Sequence, residues 1–417
     1  MKGKVPHIVI IEPNFYGREF IHYCNQKGYD LTLIISDKNN PQKLGYADYF
    51  NGSIIVADTL SYKETLNALQ TYDGLECVDA LIAGYEYVLS ITARLCETFN
   101  FFSNRYDTMQ KARIKSLAKA QWKKDKVSTA DFQLVEGVDS LKPLSETFPV
   151  PYIIKPVDGS CSENVLLIEN NADFSRAIDI LQTYKTSYMN MRVSQNFLIE
   201  RYIQGPEYSV ELFLQDGKAI WASATEKHTT APDFFVEIQH VLPLPEGRKI
   251  EKILIDEALK AAHSLKYQHG PAHVEVKMMK GIPYIIEFNG RPGGGMITSR
   301  LLPLALGIDL YGAHIEQSLG KQLVPLQATK NQAASIAYFF ASQTGYITAI
   351  DGLNELSNMA HLIEYQFNAQ IGDFVKKPEF SDDRIGYIIT LADTPQQAKA
   401  AAARARDSVK IGIHRVS

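Results

Sequence analysis

The stretch YIIEFNGRPGGG, residues 284–295, sets a carboxylate, a carboxamide and a guanidinium two residues apart at the end of a strand-like run, then passes into glycine. With its neighbour it reads HVEVKMMKGIPYIIEFNG, alternating on both sides of a Lys-Gly turn, the pattern of an antiparallel hairpin centred near Gly281. In the first arm His273, Glu275 and Lys277 share one face; in the second, Ile285, Glu287 and Asn289 do. A register symmetric about Gly281 puts Glu275 opposite Glu287, with Cβ atoms roughly 4.5–5.5 Å apart, where like charges repel and invite a cation. Two carboxylates and a carboxamide oxygen are hard ligands, suited to a Mg²⁺ that draws its remaining ligands from water and phosphate. Arg291 follows on the glycine side, where the backbone can approach a ligand closely and a guanidinium suits a phosphate or carboxylate. The same acids also suit an exposed hairpin face, and a one-residue slip in register separates them.

A metal and an arginine around a phosphoryl group call for further cations. Lys155 stands in YIIKP, where the following proline keeps the strand extended to its end. The small polar loop DGSCSENV, residues 158–165, offers backbone N–H groups to phosphates, although it holds a single glycine. In IERYIQGPEYSVE, residues 199–211, Glu200 and Glu207 flank a Gly-Pro turn between two strands; exposed main chain at this hinge suits a purine edge, and Glu207 suits ribose hydroxyls. From Asn104 to Trp122 the composition turns helical and basic, with Arg105, Lys111, Arg113, Lys115 and Lys119, and Lys123 and Lys124 directly after. That pattern fits a solvated helix face as well as a source of phosphate ligands.

The elements that must position these groups are legible in outline. HIVII, DLTLIIS, SIIVAD and VDALIAG, spaced by helical stretches such as GREFIHYCNQKG, predict βαβ units and a parallel sheet to about residue 100. No GxGxxG follows the first strand, so this Rossmann-like layer lacks the dinucleotide fingerprint. An α+β segment follows, with strands at PYIIKP, NVLLIE and NFLIERYI and a helix at ADFSRAIDILQTYKT. SVELFLQDGKAIWASATEK, read as a strand, opens a larger unit ending near Gly320; the tail holds strands AASIAYFFA and RIGYIITLA and an alanine-rich helix.

At 417 residues the chain predicts two to four domains. A net charge of −4 with interspersed signs implies neither a nucleic-acid tract nor an acidic tail. Cys24, Cys77, Cys96 and Cys161 show no CxxC spacing, which argues against zinc and disulfides and predicts mostly buried thiols in a reducing compartment. The N-terminal apolar run is too short for a signal peptide and no segment approaches about 18 consecutive apolar residues, so the expectation is a cytoplasmic protein with no membrane partner.

Taken in order, Lys155, Glu200, Glu207, Glu275, Glu287, Asn289 and Arg291 resemble the ATP-grasp superfamily of carboxylate–amine ligases over most of the chain. The resemblance implies a multidomain α/β and α+β fold. Its expected parts are a Rossmann-like domain over 1–104, a helical linker and ATP-grasp lid over 105–206, a catalytic base over 207–324, and a small C-terminal α+β subdomain over 325–417 packed on the base. It further implies that Lys115 and Lys155 hold ATP phosphates, Glu200 and the Ile203 backbone meet adenine, and Glu207 meets ribose. Glu275, Glu287 and Asn289 would carry two Mg²⁺, for which Mn²⁺ is an acceptable substitute, and Arg291 would stabilise the transferred phosphate. The family often shows Asp-Lys at the first lysine; here Ile114 precedes Lys115, which leaves Lys111 as a rival. The NGRPGGG run and EKHTTAPDFFVEIQHVLP look similar to the L-amino-acid ligases that make dipeptides, which implies substrate contacts at His240, Arg291 and Gly294 and a homodimer. A structural role for His240 fits equally, and the amine's base is left open among Glu237, His228 and His240. The rival readings are another ATP-grasp ligase or carboxylase and a nucleotide-binding protein without turnover.

Overall fold

A computed structural model describes residues 4–145, 147–187, 192–230 and 235–415. Residues 231–234, within the stretch likened above to dipeptide ligases, lie outside the described residues.

The first four strands, β1 (His7–Ile11), β2 (Asp30–Ile35), β3 (Ser53–Val56) and β4 (Ala80–Ala83), form an all-parallel sheet in the order β3-β2-β1-β4. Its inner strand β1 is buried at every position and apolar from Ile8 to Ile11, because both faces are covered. Ile8 and Ile10 share a core with Phe20 and Ile21 of the helix Arg18–Lys27, and Val9 and Ile11 share another with Leu69 and Leu95. The expected Rossmann-like layer is therefore present.

A second, antiparallel sheet has the order β5-β8-β6-β7, from β5 (Phe132–Glu136), β6 (Tyr152–Pro156), β7 (Leu166–Ile168) and β8 (Asn196–Arg201). The helix Asn171–Thr183 lies on it, its start capped by the Asn170 side chain, which accepts from the backbone N–H groups of Ala172 and Asp173. β5 was not anticipated from the sequence.

The stretch read as one strand from Ser209 is instead two, β9 (Glu207–Gln215) and β10 (Lys218–Thr229), paired antiparallel across Asp216-Gly217. Both turn residues have positive φ, 51° and 73°, the geometry of a two-residue hairpin turn for which Asp-Gly is favoured. With β11 (Glu237–Leu242), β12 (Gly270–Met279), β13 (Ile282–Asn289) and β14 (Ala333–Phe339) they build most of an eight-stranded sheet. Beyond β14 come β15 (Gly345–Asp351), β16 (Leu362–Phe367), β17 (Phe374–Val375), β18 (Gly386–Ala392) and β19 (Lys410–Arg415). The large sheet runs β13-β12-β9-β10-β11-β14-β18-β16, and β17-β15-β19 make a small sheet of their own. The C-terminal segment does more than pack on the base as expected: β11 pairs with β14, so its strands continue the same sheet. The alanine-rich helix Pro395–Ser408 covers that extension.

The basic helical segment divides at Ile114, whose extended backbone (φ −97°, ψ 109°) separates the helices Tyr106–Arg113 and Lys115–Lys124. Arg105, Lys123 and Lys124 are exposed, whereas Arg113, Lys115 and Lys119 are buried. Trp122, 1 % exposed, donates its indole N–H to the Ala261 carbonyl (3.2 Å) of the helix Arg248–Ser264, and with Ala118 it shares a core with Leu254, Val274 and Phe288. This clamp fixes the helix whose first residue is Lys115. None of the four cysteines forms a disulfide; Cys24 and Cys96 are buried as expected, but Cys77 and Cys161 are exposed. Among the described residues no helix is long and apolar enough to cross a membrane.

Replacing Trp122 with alanine removes a large, fully packed side chain, so a loss of roughly 3–5 kcal/mol is expected, read as a lower urea midpoint. An unchanged midpoint would contradict the clamp.

Candidate active site

The two acids of the hairpin do face each other, by a route the sequence did not disclose. The turn at Lys280-Gly281 pairs Met279 with Ile282, a register that carried down the hairpin would set Glu275 against Ile286. Between the pairs Val276↔Ile285 and Glu275↔Glu287, however, one extra residue, Ile286, is inserted as a β-bulge. The outer edge of the bulge is held by the linker: Ile285 N–H donates to the Ser128 carbonyl (2.8 Å) and the Thr129 hydroxyl donates to the Ile285 carbonyl (2.9 Å). One consequence corrects the expected face. Ile285 turns into the core beside Val276, and Ile286 joins Glu287 and Asn289 on the cleft side.

That cleft lies between the lid sheet, the base sheet and the C-terminal segment. It is lined by Lys115, Lys155, Glu200, Ile203 and Glu207, and, from the hairpin and its glycine turn, by Glu275, Glu287, Asn289, Arg291 and Gly294. Lys111 is elsewhere, its Nζ 2.7 Å from Asp107 on the surface, while Lys115 Nζ donates to the Gly159 carbonyl (2.6 Å) and stands 3.2 Å from Glu287. Lys115 thus lines the cleft, and Lys111 is not in its lining.

Charge is compensated pair by pair. Lys155 Nζ is 2.5 Å from Glu200 Oε1 and Lys119 Nζ is 2.9 Å from its Oε2, all three groups being buried. Burial alone would raise the Glu200 carboxyl, but the two ammonium groups overcome it and hold the value down at about 2. Lys227 is the larger omission of the sequence reading. Its buried Nζ lies 2.7, 3.1 and 3.0 Å from carboxylate oxygens of Glu207, Glu237 and Glu275. Against the cost of burial, these acids raise its pKa well above the ordinary lysine value, and Lys227 in turn is the foremost group holding Glu237 and Glu275 low. Alternation along β10 was the available signal: Glu226 and His228 point the other way, and Glu226 pairs with Lys399 (2.8 Å).

Arg291 reaches back to the N-terminal layer. Its Nε and Nη2 donate to Glu86 Oε2 (2.9 and 2.6 Å), its Nη1 to the Pro292 carbonyl (3.0 Å), and its guanidinium lies over the Tyr16 ring. Arg113, at 3.9 Å from Glu86, stacks on Tyr87. His240 is not on the cleft wall. Fully buried, it lies under the glycine turn, where a Cβ on Gly295 (φ +56°) would come within 3.0 Å of its Nε2, and it stands 3.5 Å from Glu237, which does line the cleft. Burial, partly opposed by Glu237, lowers its pKa, so the ring is neutral near pH 7. Gly293 is required because a Cβ there would meet the Glu211 carboxylate at 2.5 Å, whereas a Cβ on Gly294 would meet nothing within 4 Å. His228 Nε2 sits 3.1 Å from Glu226, away from the cleft lining.

Among the described residues no three His, Cys, Asp or Glu side chains converge as a ready-made metal cage. The donors that face the cleft, Glu275 and Glu287 across the ladder with Asn289 beside them, are all oxygen, which fits a hard ion held by few protein groups and completed by phosphate and water.

Residues 148–300 match the ATP-grasp domain family, and residues 337–414 match the L-amino acid ligase C-terminal domain 2 family. The chain is 23 % identical over 328 residues to an uncharacterized protein of Sinorhizobium fredii (79 % of this chain, 67 % of that one). It is 21 % identical over 312 residues to the L-arginine-specific L-amino acid ligase of Bacillus subtilis (72 % and 73 %). The L-amino acid ligase of Bacillus licheniformis superposes with a TM-score of 0.80 at 18 % identity, covering 99 % of this chain and all of that one. The chain thus carries an ATP-grasp domain over residues 148–300 and is similar along most of its length to ATP-dependent ligases. Two of the strands that extend the base sheet, β16 and β18, lie within the residues that match the L-amino acid ligase C-terminal domain 2 family.

Glu200→Gln strands two buried ammonium groups, so a loss of roughly 3–5 kcal/mol is expected at neutral pH. Because the native carboxyl is depressed to about 2, its contribution is complete above the ordinary glutamate value and disappears as pH falls toward 2. Urea unfolding from pH 7 to 2.5 should show the wild-type advantage shrinking below about pH 4.5; a constant gap would contradict the pairing.

Proposed function

We propose that this protein joins two L-amino acids into a dipeptide through an acyl phosphate, releasing ADP and phosphate. The reading is carried by one arrangement: Glu275 and Glu287 facing each other across a bulged ladder, with Lys115, 3.2 Å from Glu287, and Lys155 lining the same cleft. The L-amino acid ligase domain, which contributes Ser381 and Arg384 to that cleft, supports the choice of substrate class.

In this reading the chain divides near residues 104, 206 and 324 into an N-terminal layer, a lid, a base and a C-terminal subdomain, and works in the cytoplasm. Lys115 and Lys155 hold the ATP phosphates. Glu200, its carboxylate committed to Lys119 and Lys155, keeps Lys155 aimed at the adenine end of the nucleotide, whose edge the Ile203 main chain meets. Glu207 takes the ribose hydroxyls. Glu275, Glu287 and Asn289 would hold two Mg²⁺, whose role when bound is to neutralise charge on the transferring phosphoryl group. A carboxylate oxygen of the first amino acid attacks the γ-phosphorus and ADP leaves. The amine of the second then attacks the acyl carbon, and phosphate departs with the oxygen that had been part of the carboxylate. Arg291, held by Glu86, stabilises the charge that develops on the phosphoryl oxygens. His240 acts on substrate through Glu237, and Gly294 leaves room for substrate atoms. Closure of the lid excludes water, which would otherwise hydrolyse the acyl phosphate.

The test is phosphate release from Mg-ATP with the proteinogenic amino acids singly and in pairs, each active mixture being weighed by mass spectrometry. A product of two amino acids less one water is expected; ADP formation confined to other carboxylates would replace the dipeptide reading. In the same assay Glu287→Ala should lower turnover by roughly 100-fold or more while the circular dichroism stays native. Turnover within a few-fold of wild type would remove Glu287 from the metal site.

A further inference from the structure

The N-terminal layer has the parallel strands of a ligand-binding sheet but no GxGxxG turn after β1, and a carboxylate stands in its place. The chain leaves β1 at Glu12, whose side chain is fully buried and whose φ of 52° is uncommon for a residue with a β-carbon. Ser36 directly follows β2 and Thr59 lies just past β3, so the Glu12 carboxylate that meets both spans the carboxyl ends of three strands. That is where open sheets of this kind take ligands. Four donors converge on it. Oε1 accepts from the Ser36 N–H and the Thr59 hydroxyl (both 2.6 Å), and Oε2 from the side-chain amides of Asn39 (2.9 Å) and Asn14 (3.4 Å). Among the described residues no lysine or arginine pairs with Glu12, so hydrogen-bond donors alone compensate its charge.

A buried carboxylate and a left-handed backbone at a glutamate are both costly, and they persist where the surroundings over-determine them. What they hold here is the loop of residues 12–17. Gly17 has no room for a Cβ against the Gly84 carbonyl, nor Gly84 against Pro13, so this loop and the one after β4 touch backbone to backbone. Each of the two carries one partner of Arg291. Tyr16 has its ring centre 5.1 Å from the guanidinium, and Glu86, two residues past Gly84, takes the Nε and Nη2 donors. We infer that Glu12 is a positioning residue: its carboxylate fills, in place of a ligand's anion, the crevice of the N-terminal sheet, and the loop it ties there holds Tyr16 and Glu86 against Arg291. This rests on the ligase reading above, in which Arg291 stabilises the transferring phosphoryl group, and adds the device that aims it. The N-terminal layer then serves the reaction without binding a nucleotide of its own.

The experiment removes the carboxylate and offers it back. Glycine adopts a φ of 52° without strain, so Glu12→Gly leaves the backbone at ease and the four donors facing a cavity that formate can enter. With Mg-ATP and an amino-acid pair that wild type condenses, Glu12→Gly should lower kcat roughly 10- to 100-fold, the scale of a displaced catalytic group, and leave KM for ATP within about twofold. Sodium formate should restore kcat saturably, where sodium chloride at equal ionic strength does not, and should leave wild type unchanged. Thr59→Val keeps the side chain's shape and removes one donor; it should lower kcat in the same pattern to a smaller extent, and it carries the test if Glu12→Gly does not fold. Three results each overturn the positioning role and leave the ligase reading intact: kcat within about twofold of wild type in the variant that folds, a matching rise in KM for ATP, or formate raising the melting temperature while kcat stays low. Absence of any condensed product with wild type removes both.

Discussion

Buried charge is the constraint on which this structure depends. A cleft that binds a polyphosphate and its metals must hold both signs of charge out of water, and an unpaired ion there is costly. The molecule meets the constraint by matching each acid with a base before any ligand arrives: Glu200 with Lys119 and Lys155, Glu287 with Lys115, and Glu207, Glu237 and Glu275 with Lys227. These pairs reach across elements far apart in the chain, so the same contacts that stabilise the charges also join lid, linker and base.

The large sheet gives these pairs their spacing. β9, β10, β12 and β13 lie side by side, so Glu207, Lys227, Glu275 and Glu287 fall on adjacent strands. The bulge at Ile286 is the local adjustment that turns Glu287 toward Glu275 while Ile285 stays in the core. Continuation of the sheet through β11 into β14 and β18 carries the C-terminal segment to the cleft. Tyr338 and Arg384 thereby reach the glycine turn of the hairpin.

Much of this was legible in the sequence because the signals are local. Alternation around Lys280-Gly281 gives the hairpin, the apolar runs give the parallel layer, and the Gly-Pro turn gives the hinge between Glu200 and Glu207. Contacts that depend on tertiary placement were not legible. Nothing near Glu86 announces that it meets Arg291 across 205 residues, and Lys227 looks like one charge among several until β10 is seen to turn it inward. The bulge was hidden for a related reason: a hairpin symmetric about Gly281 predicts the correct pair of acids, but with the wrong turn and the wrong face for Ile285. The Asp216-Gly217 turn was a local signal overlooked. His240 was singled out by its segment, yet a single sequence cannot tell a ring on the cleft wall from one beneath it.

The central claim is that this charge-matched cleft activates a carboxylate by moving the γ-phosphoryl group of ATP onto it. The most direct test labels both oxygens of the first substrate's carboxylate with oxygen-18, lets the enzyme turn over with Mg-ATP and an amine substrate, and weighs the released phosphate. One labelled oxygen in each phosphate is the predicted result, since the bond cut in the second step is the one between acyl carbon and the transferred oxygen. Phosphate free of label, with amide still formed, would contradict the account.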